Sequence, residues 1–312
     1  ESLQDNTVFR KMQKVITKKV LDHLDTVSTE DKERYTKFYQ EFGAILREGV
    51  ASDFDNRERV ARLMRFASTR TGVDGEQVSL PEYVERMAEG QEQIYFLTGT
   101  DPKAILRDPN LEVFTKRNLE VLLLVDPVDE YMLGQLRSFD EKDIVSVDSA
   151  ELKLPENAQQ EEGSDDTEQK GDADQAADGP GFERLLELFS EALGERVREV
   201  RRSERLTSSA CCLVNAEGTM STTMQRVLRM NTPDFEMGKM ILEVNPQSDF
   251  IRRLSAICVN PQNADFIRTC GLQLHSNAMI TAGLAPDPNE MAARVQDFML
   301  QLAGSRSAIA TE

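Results

Sequence analysis

The residues of this 312-residue chain best suited to covalent or metal chemistry are four cysteines and two histidines, and their spacing argues against both uses. Cys211, Cys212, Cys258 and Cys270 form no CxxC pair, and only His23 and His275 stand by to assist them. A zinc site or a disulfide framework needs closely paired ligands, so the reading is buried, reduced thiols of a cytoplasmic protein, with no metal. Two histidines leave little room for a His-based general base, and GxSxG and HExxH are both missing. Phosphate binding is the next chemistry to test, because strand-to-helix turns aim backbone N–H groups at anions. Gly99-Thr100-Asp101-Pro102 is such a turn, yet it lacks GxxxxGK[ST] and GxGxxG. Asp101 fits better as a helix cap, with Pro102 at the first helical position.

Recognition without a reactive atom is the remaining option, and residues 205–230, RLTSSACCLVNAEGTMSTTMQRVLRM, are its candidate. Residues 210–214 have the apolar run of a buried strand, and Asn215-Ala216-Glu217-Gly218 reads as a turn. Met220, Met224, Val227 and Leu228 then recur at i, i+4, i+7 and i+8, one stripe of a helix, with Ser221, Thr222, Gln225, Arg226 and Arg229 on the other face. Turned to water, flexible and polarizable methionines suit partners that share no sequence. Turned inward, the same stripe is ordinary core, which periodicity alone favours.

The elements that must position this stretch follow from length and patterning. The length suggests about two domains. A formal charge of −18 argues against nucleic acid, whose binding relies on basic residues. No apolar run reaches membrane-spanning length, and the first residues lack an initiator Met and a signal sequence, so the expectation is a soluble fragment of a longer cytoplasmic protein. Residues 3–24, 31–50 and 56–66 carry helical periodicity and read as core helices with charged outer faces. Ser79 and Glu82 have capping-box spacing. Apolar runs at 94–98, 121–125 and 144–147 alternate with helical stretches, which predicts a small parallel sheet. Between 156 and 180 nine acidic residues face the single Lys170, so this segment reads as a flexible linker. Beyond it come a helix at 182–193, strands near 197–202, 210–214 and 241–244, and helices near 249–257, 264–283 and 289–302.

These segments resemble a known family. Gln4-Asp5-Asn6 after Leu3, Lys37-Phe38-Tyr39 before Phe42, Asn56-Arg57, Ser79-Leu80-x-Glu82-Tyr83-Val84-x-Arg86-Met87, Gln93-Ile94-Tyr95-Phe96-Leu97-Thr98-Gly99 and Asp129-Glu130-Tyr131 are similar to the middle domain of the heat shock protein 90 chaperones. Arg205-Leu206-Thr207-Ser208-Ser209-Ala210-Cys211, Met220-Ser221-x-x-Met224 and Glu243-x-Asn245-Pro246 resemble its C-terminal domain, and the modest length points to the bacterial HtpG type.

The resemblance implies a mixed α/β (α+β) fold, with a partial middle domain at 1–155 holding a helical segment and a small αβα unit and a C-terminal dimerisation domain at 181–304; the acidic linker at 156–180 is the main departure from the family, and a tail follows at 305–312. It implies a chaperone that binds unfolded or partly folded client proteins and forms a homodimer, against the alternative of a scaffold that recruits one folded partner. The family's ATP and Mg belong to an N-terminal domain outside this sequence, and its nucleotide-contacting arginine would precede Glu1. Gln4 aligns with a catalytic-loop glutamine that has no nucleotide here, so no cofactor and no ATPase activity are expected of the chain itself. Clients would contact Met220, Met224, Val227 and Leu228, with Glu130 and Tyr131 as a second patch. A two-fold bundle of the last two helices would bury Ile267, Leu274 and Ala278 with Met291, Val295, Phe298, Met299 and Leu302.

Overall fold

In the computed structural model, which describes residues 7–73, 75–99, 101–155, 179–232 and 235–309, the chain packs into two compact units. Gln4, most of the acidic segment and the last three residues lie outside that description. One unit takes residues up to 102, 120–145 and those from Lys153; the other takes 103–119, 146–152 and everything from 179 on. The packing therefore assigns 103–119 and 146–152 to the second unit, whereas sequence patterning placed all of 1–155 together.

The first unit opens with α1 (Thr7–Glu30) and α2 (Lys32–Ser52), followed by the short helix α3 (Arg57–Arg62). Asp31 caps α2 by accepting from the Arg34 amide at 3.1 Å. Tyr35, Tyr39, Gly43 and Val50 form the buried face of α2, and the Tyr35 hydroxyl donates to the Leu63 carbonyl at 2.6 Å. The expectation of a core helix holds for only part of α1. Val8, Met12, Val15, Ile16 and Val20 are exposed, and the helix enters the core through Leu21, Leu24 and Val27, where α2 crosses it. Ser79 and Glu82 close the expected capping box at the start of α4 (Leu80–Glu85).

Five strands complete this unit: β1 (Ala67–Ser68), β2 (Gln93–Thr98), β3 (Leu122–Leu124), β4 (Ser138–Phe139) and β5 (Lys142–Ser146), in the order β1-β3-β2-β5-β4. The β2 and β3 runs are buried and parallel, with Phe96 opposite Leu122 and Thr98 opposite Leu124. The edges are antiparallel, so the sheet is mixed rather than parallel: β1 and β4 are two-residue strands that reverse direction at either side. The helical stretch expected up to residue 118 is broken into α5 (Pro102–Ile105), a 3-10 turn at Pro109–Leu111 and α6 (Glu112–Lys116). Pro109 accounts for the break, since it supplies no N–H to a continuing helix. Helix α7 (Pro127–Leu136) begins at an Asp126 cap.

The second unit is built on α8 (Pro180–Leu193), whose Phe182, Leu185, Leu188, Phe189 and Leu193 form one buried stripe. They meet α11 (Ala264–Thr281), and Gly271 is what lets the two helices close: a Cβ there would stand 2.6 Å from Phe189 Cδ1. A three-stranded sheet of β6 (Glu199–Arg202), β8 (Ile241–Val244) and β7 (Cys211–Val214), in that order, completes the core, with β6 parallel and β7 antiparallel to β8. Helices α9 (Thr222–Asn231), α10 (Asp249–Ile257) and the terminal α12 (Pro288–Ile309) surround it. No helix among the described residues is long and apolar enough to cross a membrane.

Candidate binding surface

The stretch 203–231 is anchored by charged side chains on either side of β7. Arg205 is buried and donates from Nε to Glu243 Oε2 at 3.0 Å, from Nη1 to the Val147 carbonyl at 2.5 Å and from Nη2 to the Ser149 carbonyl at 3.1 Å. Glu243, buried in the middle of β8, also accepts from Ser203 Oγ at 3.0 Å and Arg201 Nη2 at 2.8 Å. The Glu112 carboxylate sits in a cradle of successive amides, those of Thr207 (2.7 Å), Ser208 (2.8 Å) and Ser209 (3.0 Å). Burial pushes the Glu112 carboxyl up, but the donors of Ser209, Ser208 and Thr207 outweigh it and hold the group below its usual range. Beyond β7, the Asn215 amide donates to the Asp148 carbonyl at 2.7 Å and its Nδ2 to Asp148 Oδ2 at 2.8 Å. Burial raises the Asp148 carboxyl despite the Ser146, Arg205 and Asn215 groups around it.

The thiols in this stretch are chemically quiet. Burial pushes Cys211 up to about 12 and Cys212 well above the ordinary thiol range, so neither supplies thiolate at neutral pH. His275 is held down to about 4, first by burial and then by Arg196 and Arg294, which leaves it a weak base. Among the described residues no three His, Cys, Asp or Glu side chains converge to hold a metal.

Helix α9 leaves its methionine stripe partly open, between the water-facing and the core reading of that stripe. Ser221 caps it, with Oγ accepting from the Met224 amide at 3.2 Å, so Met220 precedes the helix instead of opening it. Ser221, Thr222 and Gln225, placed from sequence on the face opposite the stripe, are buried, as is Thr223, whereas Arg226 on that face is half-buried and Arg229 exposed. Their partners explain why. Thr222 Oγ1 lies 3.3 Å from Asn215 Oδ1, and Gln225 bonds the chain on both sides of the helix, from Nε2 to the Met220 carbonyl at 2.7 Å and from the Gly238 amide to Oε1 at 2.7 Å. Polar groups beneath the start of the helix demand polar side chains to satisfy them. Met220 is 52% exposed and Met230 76%, while Met224, Val227 and Leu228 are half-buried. Met220, exposed beside the half-buried Met224, is the apolar part of this stretch open to a partner.

The family model described as Hsp90 protein matches residues 1–312. The chain belongs to the Hsp90 family. It is 38% identical over 305 residues to the chaperone protein HtpG of Geobacter sulfurreducens, which covers 96% of this chain and 45% of that protein. It is 36% identical over 309 residues to HtpG of Aromatoleum aromaticum and 38% over 257 residues to HtpG of Legionella pneumophila strain Lens. This Hsp90 chain thus spans under half the length of the curated relatives it matches.

The other residues singled out from sequence divide cleanly. In α7 of this Hsp90 chain Tyr131 is 53% exposed, but Glu130 beside it is buried and offers a partner little. Ile267, Leu274 and Ala278 are buried in the second unit's own core, where α8 packs against their helix. On α12, Met291 and Phe298 are half-buried, the latter edge-on to Phe266 at 6.0 Å, whereas Val295, Met299 and Leu302 are exposed. Leu300, off the expected stripe, is exposed with them. Sequence reading passed over Glu112, Asn215 and Gln225 as positioning groups. A glutamate inside the apolar run Ile241-Leu242-Glu243-Val244 was the one visible sign of a buried charge.

Proposed function

We propose that this part of an Hsp90-family chaperone binds unfolded or partly folded proteins through the outward side of α9, with Met220 and Met224 as its adaptable contacts. The carrying observation is that Gln225 spends its side chain on hydrogen bonds beneath α9, while Met220 is exposed and Met224, Val227 and Leu228 are only half-buried. Membership of a chaperone family supports the same reading. Replacing Met220 and Met224 by alanine should weaken binding of several unrelated unfolded polypeptides roughly tenfold, about 1.4 kcal/mol. Thermal stability should stay within about 1 kcal/mol, as surface changes usually do. Unchanged affinity, or a response confined to one folded partner, would contradict a tolerant surface.

Dimerisation belongs to the same proposal, placed on α12 alone, since Val295, Met299, Leu300 and Leu302 are exposed together there and the α11 stripe is covered by α8. Light scattering at micromolar concentration should give twice the 35.2 kDa chain mass, and Met299→Asp with Leu302→Asp should return the monomer. A monomeric parent, or a doubly substituted chain that stays dimeric, would rule that interface out.

A further inference from the structure

We infer that Gln225 is the positioning residue that sets which side of α9 faces a client, acting with Asn215 as its seat. The inference rests on the client-binding reading of α9 and adds to it the group that orients the surface. Gln225 is 3% exposed, although its neighbours on α9, Met224, Arg226, Val227 and Leu228, are only half-buried. Its amide is used at both ends. Nε2 donates 2.7 Å to the Met220 carbonyl and lies 3.4 Å from Asn215 Oδ1, while Oε1 accepts from the Gly238 amide at 2.7 Å. One side chain therefore ties the residue that leads into α9, the turn beneath it and the backbone that leaves it. Thr222 shares the Asn215 oxygen, and Asn215 is itself held by two bonds to Asp148.

The choice of glutamine matters chemically. Its neutral amide alone among side chains of this length presents donors and an acceptor together. A leucine would keep the bulk and lose every bond, leaving the Met220 carbonyl and the Gly238 amide without their side-chain partner. It would also give α9 an apolar underside, so that rolling the helix to bury the methionine stripe would become competitive with the present arrangement. A glutamate would keep the acceptor for Gly238 and set a carboxylate against the Met220 carbonyl and Asn215 Oδ1.

The experiment uses the full 312-residue chain with three readouts: amide exchange at Gly238 with Leu242 in β8 as internal reference, the peroxide oxidation rates of Met220 and Met224, and affinity for reduced, carboxymethylated α-lactalbumin as a permanently unfolded probe. In the parent, Met220 should oxidise faster than Met224. In Gln225→Leu, Gly238 exchange should rise at least tenfold with Leu242 unchanged, the two oxidation rates should draw together, and probe affinity should fall about tenfold. In Gln225→Glu, Gly238 should stay protected while the oxidation order and the affinity still change, a split that simple loss of stability would not produce. Parent-like oxidation and affinity in Gln225→Glu would overturn the assignment, and that variant alone decides if Gln225→Leu also loses Leu242 protection. Should exchange and oxidation respond as stated while the parent binds no probe, the positioning role stands and the client-binding reading falls.

Discussion

Replacing Arg205 by leucine should cost the second unit about 3–5 kcal/mol, the usual penalty for removing one partner of a buried ion pair. The loss comes from what stays behind. Glu243 would keep only Arg201 and Ser203, and the Val147 and Ser149 carbonyls would lose their donor. Replacing Glu243 by leucine as well should recover part of the loss, because no unpaired carboxylate then remains buried. Denaturant unfolding of the two variants measures both terms. A single substitution costing under about 1 kcal/mol, the value of an exposed pair, would show that the network is solvated.

Gly271→Ala should destabilise the same unit by about 1–3 kcal/mol, the overpacking penalty of a well-filled core. The added methyl would meet Phe189 Cδ1 at 2.6 Å, and both residues are buried between α8 and α11, so neither helix can yield without opening the core. Shortening the ring should relieve the clash: Phe189→Leu, harmful by itself through the space it leaves, should cost less in the Gly271→Ala background than in the parent. Thermal unfolding of the four proteins gives the coupling energy. Strict additivity would mean that the helices are not closed at this glycine.

Much of the fold was legible because its central strands are largely apolar runs. Residues 93–98, 211–214 and 241–244 could be read directly, and the Ser79 and Glu82 capping box carries its own signature. The two-residue strands β1 and β4 have no periodicity to detect, so the sheet was read as parallel. The stripe of Ile267, Leu274 and Ala278 on α11 was visible, but not that α8 packs against it. The surroundings of α9 were not legible. Periodicity shows which residues share a helix face and says nothing of which way that face turns. Here the direction is set by Asn215, the Met220 carbonyl and the Gly238 amide, hydrogen-bonding partners that only the folded chain brings beneath the helix.

The central claim is that the methionine side of α9 receives unfolded protein, and site-specific photocrosslinking tests it most directly. A photoreactive amino acid at Met220 should label a bound unfolded polypeptide strongly, and the same group at Glu217, exposed in the turn before α9, should label it weakly. Equal labelling from the two positions, or none from Met220 while the polypeptide is bound, would contradict the claim.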